Sequence, residues 1–319
     1  MLWGLAGVCV IAAQAQGIAE SAAVDAPSDQ AEAHGWLAYT YIGVAGAILL
    51  ALAVPHALGR RPLALGAERV RWPLAPGPSV FLMLLLMVAG AAAASAAMQA
   101  LGAGAGDDVR SRAIASMANS GTQLLLVAGV WWAIGNAHVT RPLLQSPADA
   151  DARAPMGGAR AAALGAAAMA IGWSIVQAGG VIASTVQQAM TGVDAPDTAH
   201  RTLEAMGQSG DAAWIAATAL VAVVLAPLAE EILYRGALQQ ALHGLGIPRV
   251  LSIAGTSALF AAAHWGSLVG GSEAGALTML FVLGLIFGWC YERTGSLWAP
   301  FTAHAMFNAA NLAIFLVQR

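Results

Sequence analysis

Runs such as SVFLMLLLMVAGAAAASAAMQAL (79–101) recur along this chain. Each is long enough to cross a bilayer as a helix, which takes about 20 apolar residues. A backbone in hydrocarbon must satisfy its own hydrogen bonds, so such runs fold as helices. The composition agrees: 59% of residues are hydrophobic and 10% are charged, against about 25% charged in soluble domains. The expected fold is all-α, a multi-pass transmembrane bundle of about eight spans. They are read at roughly 36–58, 79–101, 113–135, 161–186, 212–241, 250–265, 276–291 and 297–316. The net charge of −3 gives no reason to expect a nucleic-acid partner.

Three regions follow. Residues 1–35 hold an apolar segment, a signal peptide or an anchor, and a polar loop at 20–35. Residues 36–210 supply four additional transmembrane helices, and 211–319 form a C-terminal core of four helices. The segment VTRPLLQSPADADARAPMGGAR (139–160), rich in Pro, Asp and Gly, reads as a linker. Cys9 and Cys290 do not make a disulfide framework, and each is expected to be a small apolar residue. Arginines set the orientation. Arg60, Arg61, Arg69, Arg71, Arg141, Arg153, Arg160, Arg249 and Arg293 fall on one side, and Arg110, Arg112, Arg201 and Arg319 on the other. The first side is expected to be cytoplasmic.

Within the apolar runs, LAEEILYRGAL (228–238) is the exception. A charge near the bilayer centre costs several kcal/mol, so such residues pair, face a water-filled cavity or do chemistry. Glu231 and Arg235 are four apart and share a helix face, so Arg235 can hold Glu231 ionised. Glu230 is rotated by about 100° and is left to face a cavity. Downstream, FAAAH (260–264) and HAMFN (304–308) place Phe260 with His264, and His304 with Asn308, on one face of their own helices. Measured along straight helices from the expected cytoplasmic ends, Glu231 lies about 15 Å deep, His264 about 21 Å and His304 about 10–12 Å. The motifs can therefore meet in one layer, expected nearer the cytoplasmic face, in a cavity opening to the cytoplasm or to lipid.

Such a layer suits water activation. A carboxylate takes a proton from water, histidines position that water or bind a metal, and an asparagine amide donates to an oxyanion. A purely structural ion pair is the other reading of Glu231 and Arg235. Phe260 reads as packing.

EEILYR, FAAAH and HAMFN, in this order, resemble the signature of the CPBP (CAAX protease and bacteriocin-processing, Abi) intramembrane proteases, a resemblance carried by the last third of the chain. The resemblance implies an intramembrane endopeptidase, a CAAX-type metalloprotease or a glutamate-dependent protease, acting on a membrane-associated peptide or protein substrate. It implies Glu230 as the base, His264 as its helper, Glu231 and Arg235 as a supporting pair, and His304 and Asn308 completing the site. It leaves open a zinc ion on Glu230, His264 and His304 beside a water-only site. The expected location is the bacterial cytoplasmic membrane, with the lipid bilayer as surroundings. A rival of another class uses the same polar cluster without proteolysis: an ion- or proton-coupled transporter, or a bacteriocin-immunity scaffold.

Overall fold

The structure, a computed structural model, describes residues 29–57, 65, 74–101, 108–136, 156–194, 196 and 198–318. The expected signal peptide or anchor, Cys9 and most of the linker 139–160 lie outside the described residues.

The described chain is helical, with one isolated bridge between His200 and Leu268. Helices α1 (Asp29–Ala57), α2 (Pro76–Leu101), α3 (Val109–Asn136) and α4 (Gly158–Thr191) come first. They are followed by a short α5 (Arg201–Gln208), a long α6 (Ala212–Gly244), and α7 (Arg249–Ala263), α8 (Glu273–Thr294) and α9 (Trp298–Gln318). Seven of the described helices are long and apolar enough to cross a membrane, so the chain is an all-α, multi-pass helix bundle.

Two elements differ from the sequence expectation, the start of α1 and a short α5, and the expected sixth span is shorter than a full crossing. Helix α1 starts at Asp29, inside the stretch expected as loop. Its first turns are built from Gln, Ala and Glu, which favour helix despite their polarity. The expected sixth span is the 15-residue α7, about 22 Å long and short of the roughly 30 Å hydrocarbon core. A tight turn at Trp265–Ser267 ends it. Finally, α5 was not expected. His200 caps it, its Nδ1 accepting from Thr202 N at 3.1 Å, and Ala205 and Met206 pack against Val109 and Leu312.

Local chemistry explains the other ends. Asp211 starts α6 by accepting from Ala213 N and Trp214 N, and Asp108 starts α3 by accepting from Ser111 N. Helix α8 stops at Gly295, whose φ of 66° suits glycine. A three-residue turn then leads to α9, where Pro300 falls in the first turn and its missing N–H is tolerated.

Helix α4 is the hub, packing on α1, α8 and α9. Gly165 permits the closest of these approaches, because a Cβ there would collide with the Ala299 carbonyl. Packing of this kind replaces the hydrophobic effect, which does not drive helices together in lipid. The core runs through Leu86, Met169, Leu233, Phe260, Leu283, Phe287 and Phe307, where α2, α4, α6, α7, α8 and α9 meet. Helix α1 sits outside this core and touches α4 through Ala38, Tyr41 and Ala45.

Candidate active site

The site begins with an irregularity in α6. Residues Val221–Leu225 and Ile232–Gln239 are wound as π-helix. In the first stretch Ala226 N bonds to Val221 O, five residues back. The next residue, Pro227, has no N–H, so the Ala222 carbonyl loses its partner in this register. Asn308 of α9 supplies the replacement, donating from Nδ2 to Ala222 O at 2.8 Å. The HAMFN motif is thereby joined to the helix that carries the glutamates.

The two glutamates part company at this point. Glu231 is enclosed, with its side chain 1% exposed. Its Oε2 lies 3.1 Å from Arg235 Nε, and its Oε1 accepts from His304 Nδ1 at 2.9 Å. Arg235 is fully buried, and its two terminal nitrogens have no hydrogen-bond partner among the described residues. Its guanidinium lies 5.4 Å from the Phe260 ring and 5.7 Å from the Phe287 ring. Cation–π attraction and the Glu231 charge together hold it there. Phe287 also stacks on His304, with ring centres 4.8 Å apart, and Phe260 meets His304 edge-on. Phe260 is therefore the packing residue expected, and its ring meets Arg235, His264 and His304.

Glu230 faces the other way. Its side chain is 27% exposed, and its Oε2 stands 3.8 Å from His304 Nε2. It lines a cavity of about 670 Å³ together with His264, His304 and Asn308. The structure thus brings Glu230, His264, His304 and Asn308 to one cavity, while Glu231 and Arg235 stand behind His304. Two tautomers follow from the partners, since carbonyls and carboxylates only accept. His264 donates from Nδ1 to Phe260 O at 2.8 Å. His304 donates from Nδ1 to Glu231. In the neutral rings, both Nε2 atoms are left as acceptors.

Among the described residues no three His, Cys, Asp or Glu side chains come together as a metal-holding group. Glu230, His264 and His304 share the cavity.

Sequence reasoning missed part of the lining. Arg112, Ser116, Asn119 and Gln123 form a polar stripe along α3, and all four reach the cavity. Their spacing of four, three and four is that of one helix face, a signal that was present in the sequence. Gly90 of α2 makes room for two of them: a Cβ there would collide with Asn119 Oδ1 and come within 2.8 Å of Gln123 Nε2. His200 also lines the cavity. Burial, with His264 and Arg112 nearby, pushes its pKa down to about 4. A histidine in a polar connection has no sequence signal of this kind.

The cavity also extends beyond the layer of the three motifs. Besides the motif residues, it is lined by Arg112, Thr198–His200, Ser267, Leu268 and Ser272. His264 ends α7, and the following segment contributes Ser267, Leu268 and Ser272 to the lining. Arg201 Nε and Ser272 Oγ fasten that segment to the connection before α5, bonding Leu268 O and Ala199 O.

Residues 212–310 match the family described as Type II CAAX prenyl endopeptidase Rce1-like. No curated protein and no solved structure matches the chain. The match spans α6 to most of α9, the elements that carry all three motifs. Over residues 212–310 this match supports the resemblance to the CPBP membrane proteases that the three motifs carry.

Proposed function

We propose that this chain is an endopeptidase of the bacterial cytoplasmic membrane that hydrolyses a peptide bond of a membrane-associated substrate with a water activated by Glu230. The observation that carries this reading is the division between neighbours: Glu230 lines the cavity, half-free, while Glu231 is locked behind it by Arg235 and His304.

The reaction uses these groups as follows. Glu230 takes a proton from a water in the cavity, and the water oxygen attacks the peptide carbonyl carbon. His264 Nε2 accepts a hydrogen bond from the same water and orients it. The oxyanion is met by the Asn308 amide, which has a second N–H beyond the one bonded to Ala222 O. The C–N bond breaks as the proton passes from Glu230 to the departing amine. His304, bonded through Nδ1 to Glu231, is held beside Glu230 in a fixed tautomer, as a buried carboxylate orients histidine in serine hydrolases.

The test is cleavage by purified protein in lipid. Glu230→Gln should abolish hydrolysis while leaving the thermal unfolding of the protein unchanged. Undiminished cleavage by that variant would remove Glu230 as the base. Solute or proton flux that depends on Glu230, without hydrolysis of any peptide, would favour a transporter instead.

A further inference from the structure

Helix α3 lies outside the family match, yet one of its faces lines the cavity. Ser116, Asn119, Ser120 and Gln123 occupy that face, and α3 packs along α6 as far as the turn that carries Glu230. Bonds within the bundle account for part of this polarity. Gln123 Nε2 donates to Leu86 O and to Asn119 Oδ1, each at 3.3 Å. These are the atoms turned toward Gly90 of α2. The Gln123 Oε1 acceptor and the Asn119 Nδ2 donor remain. Ser120 is 2% exposed, and no hydrogen bond joins its hydroxyl, or that of Ser116, to another described residue. A polar atom in a membrane span is costly without a partner. A tie between α2 and α3 explains Gln123, and it leaves Ser116 and Ser120 unexplained.

The proposed reaction supplies what these atoms lack. A peptide bond inside a helix has its groups bonded along the helix, so a substrate must be extended where it is cut. In a low-dielectric cavity, the N–H and C=O groups of an extended segment are costly unless paired. Those facing one way recur every two residues, about 6.6–6.8 Å apart. Successive turns of α3, at Ser116, at Asn119 with Ser120, and at Gln123, are about 5–6 Å apart. Neighbouring rungs of the stripe can therefore meet neighbouring same-side groups of an extended chain. The rest of the lining includes Met206, Met279, Leu280, Leu283 and Leu312, an apolar surface suited to side chains. We propose that Ser116, Asn119, Ser120 and Gln123 bind the main chain of the substrate as an extended segment beside the scissile bond. The stripe then recognises peptide groups rather than particular side chains. The proposal rests on the proteolytic reading above.

The test uses the Glu230→Gln protein in nanodiscs, so that peptides are held and not cut. The probes are a pool of capped pentapeptides with randomised side chains, and the same pool N-methylated at every peptide bond. Retention is read by mass spectrometry against empty nanodiscs. Ser116→Ala, Ser120→Ala and Asn119→Leu should each weaken retention of the unmodified pool by about 5-fold, as loss of one hydrogen bond does. The N-methylated pool, which cannot pair in this way, should be retained less and equally by all. The two serine variants remove hydroxyls that bond nothing in the fold, so their melting temperatures should match the parent's, and they suffice if Asn119→Leu folds poorly. Equal behaviour of the two pools, or no retention above empty nanodiscs, overturns the proposal. Cleavage is scored separately, with Glu230 intact, on single-span reporters carrying the same randomised segment. The expected result there is a rise in KM of similar size at unchanged kcat. Cleavage with KM unmoved by the serine variants removes the stripe and keeps the protease. Stripe-dependent retention without cleavage of any reporter removes the protease and keeps the main-chain site.

Discussion

Two regions of the bundle begin at adjacent residues of α6. On the cavity side, starting at Glu230, polar groups stand among apolar ones in a lining drawn from helices both inside and outside the family match. On the sealed side, starting at Glu231, charges are enclosed and answered by other charges or aromatic faces. A charge on the first side keeps its solvation and stays available for proton transfer. A charge on the second has given up water, and it is stable while its partners remain. Under the proposed mechanism, the same residue type does chemistry at one position and bracing at the next.

The largest effects should separate these roles by the kind of loss. Glu230→Gln removes a general base and should lower the cleavage rate by at least about 10²–10⁴-fold, with the melting temperature in lipid or detergent unchanged. Glu231→Gln should do the reverse first, because it leaves the Arg235 charge enclosed without a counter-ion. A loss of about 3–5 kcal/mol in stability is expected, measured by thermal or denaturant unfolding, with activity falling as the folded fraction falls. If Glu231→Gln is as stable as the parent, the sealed region is not held by its ion pair.

A smaller effect sharpens how the two regions are joined. Asn308→Leu leaves the Ala222 carbonyl unbonded and should cost about 1–3 kcal/mol. In a Pro227→Ala background the helix can supply its own N–H, so the Asn308→Leu penalty in stability should shrink. A double-mutant cycle on unfolding free energies reads the coupling.

The smallest effect concerns pH. The pKa of His200 is about 4 in the fold against an ordinary 6.5, so between those values the unfolded chain binds the proton and the folded chain does not. Stability is retained above about pH 6.5 and declines as pH falls toward 4. His200→Asn keeps an acceptor for the α5 N-terminus and lacks this titration. Its melting temperature should therefore drop less than the parent's between pH 7.5 and pH 5.

What could be read from the sequence follows from what is costly in a membrane. Glu230, Glu231 and Arg235 interrupt an apolar run at an energetic cost, so they stand out, and four-residue spacing is enough to pair the last two. Helix ends were legible within a few residues wherever Gly, Pro or Asp marked them. Other features left weaker marks. Glu292 sits at a span end and reads as a loop residue, yet it is buried, because α7 and α6 bring Arg249, Gln239 and Gln240 to it from distant sequence. The π turns shift the register without changing composition, and Pro227 alone hints at the first of them. The partial crossing of α7 is hidden too, since hydropathy over its 15 residues does not distinguish it from a short span. The stripe on α3 was visible as spacing, but nothing in its own helix says that a cavity lies beside it.

The bond from Asn308 to the Ala222 carbonyl also bears on how the molecule comes into being. Spans enter the membrane in the order of synthesis, so α6 is present with its open carbonyl and its two glutamates before α9 exists. The last helix brings both the amide that closes that gap and the histidine that engages Glu231. Until then the base-bearing helix lacks its tie to α9 and the oriented imidazole. Under the proposed mechanism, activity would therefore await the insertion of α9.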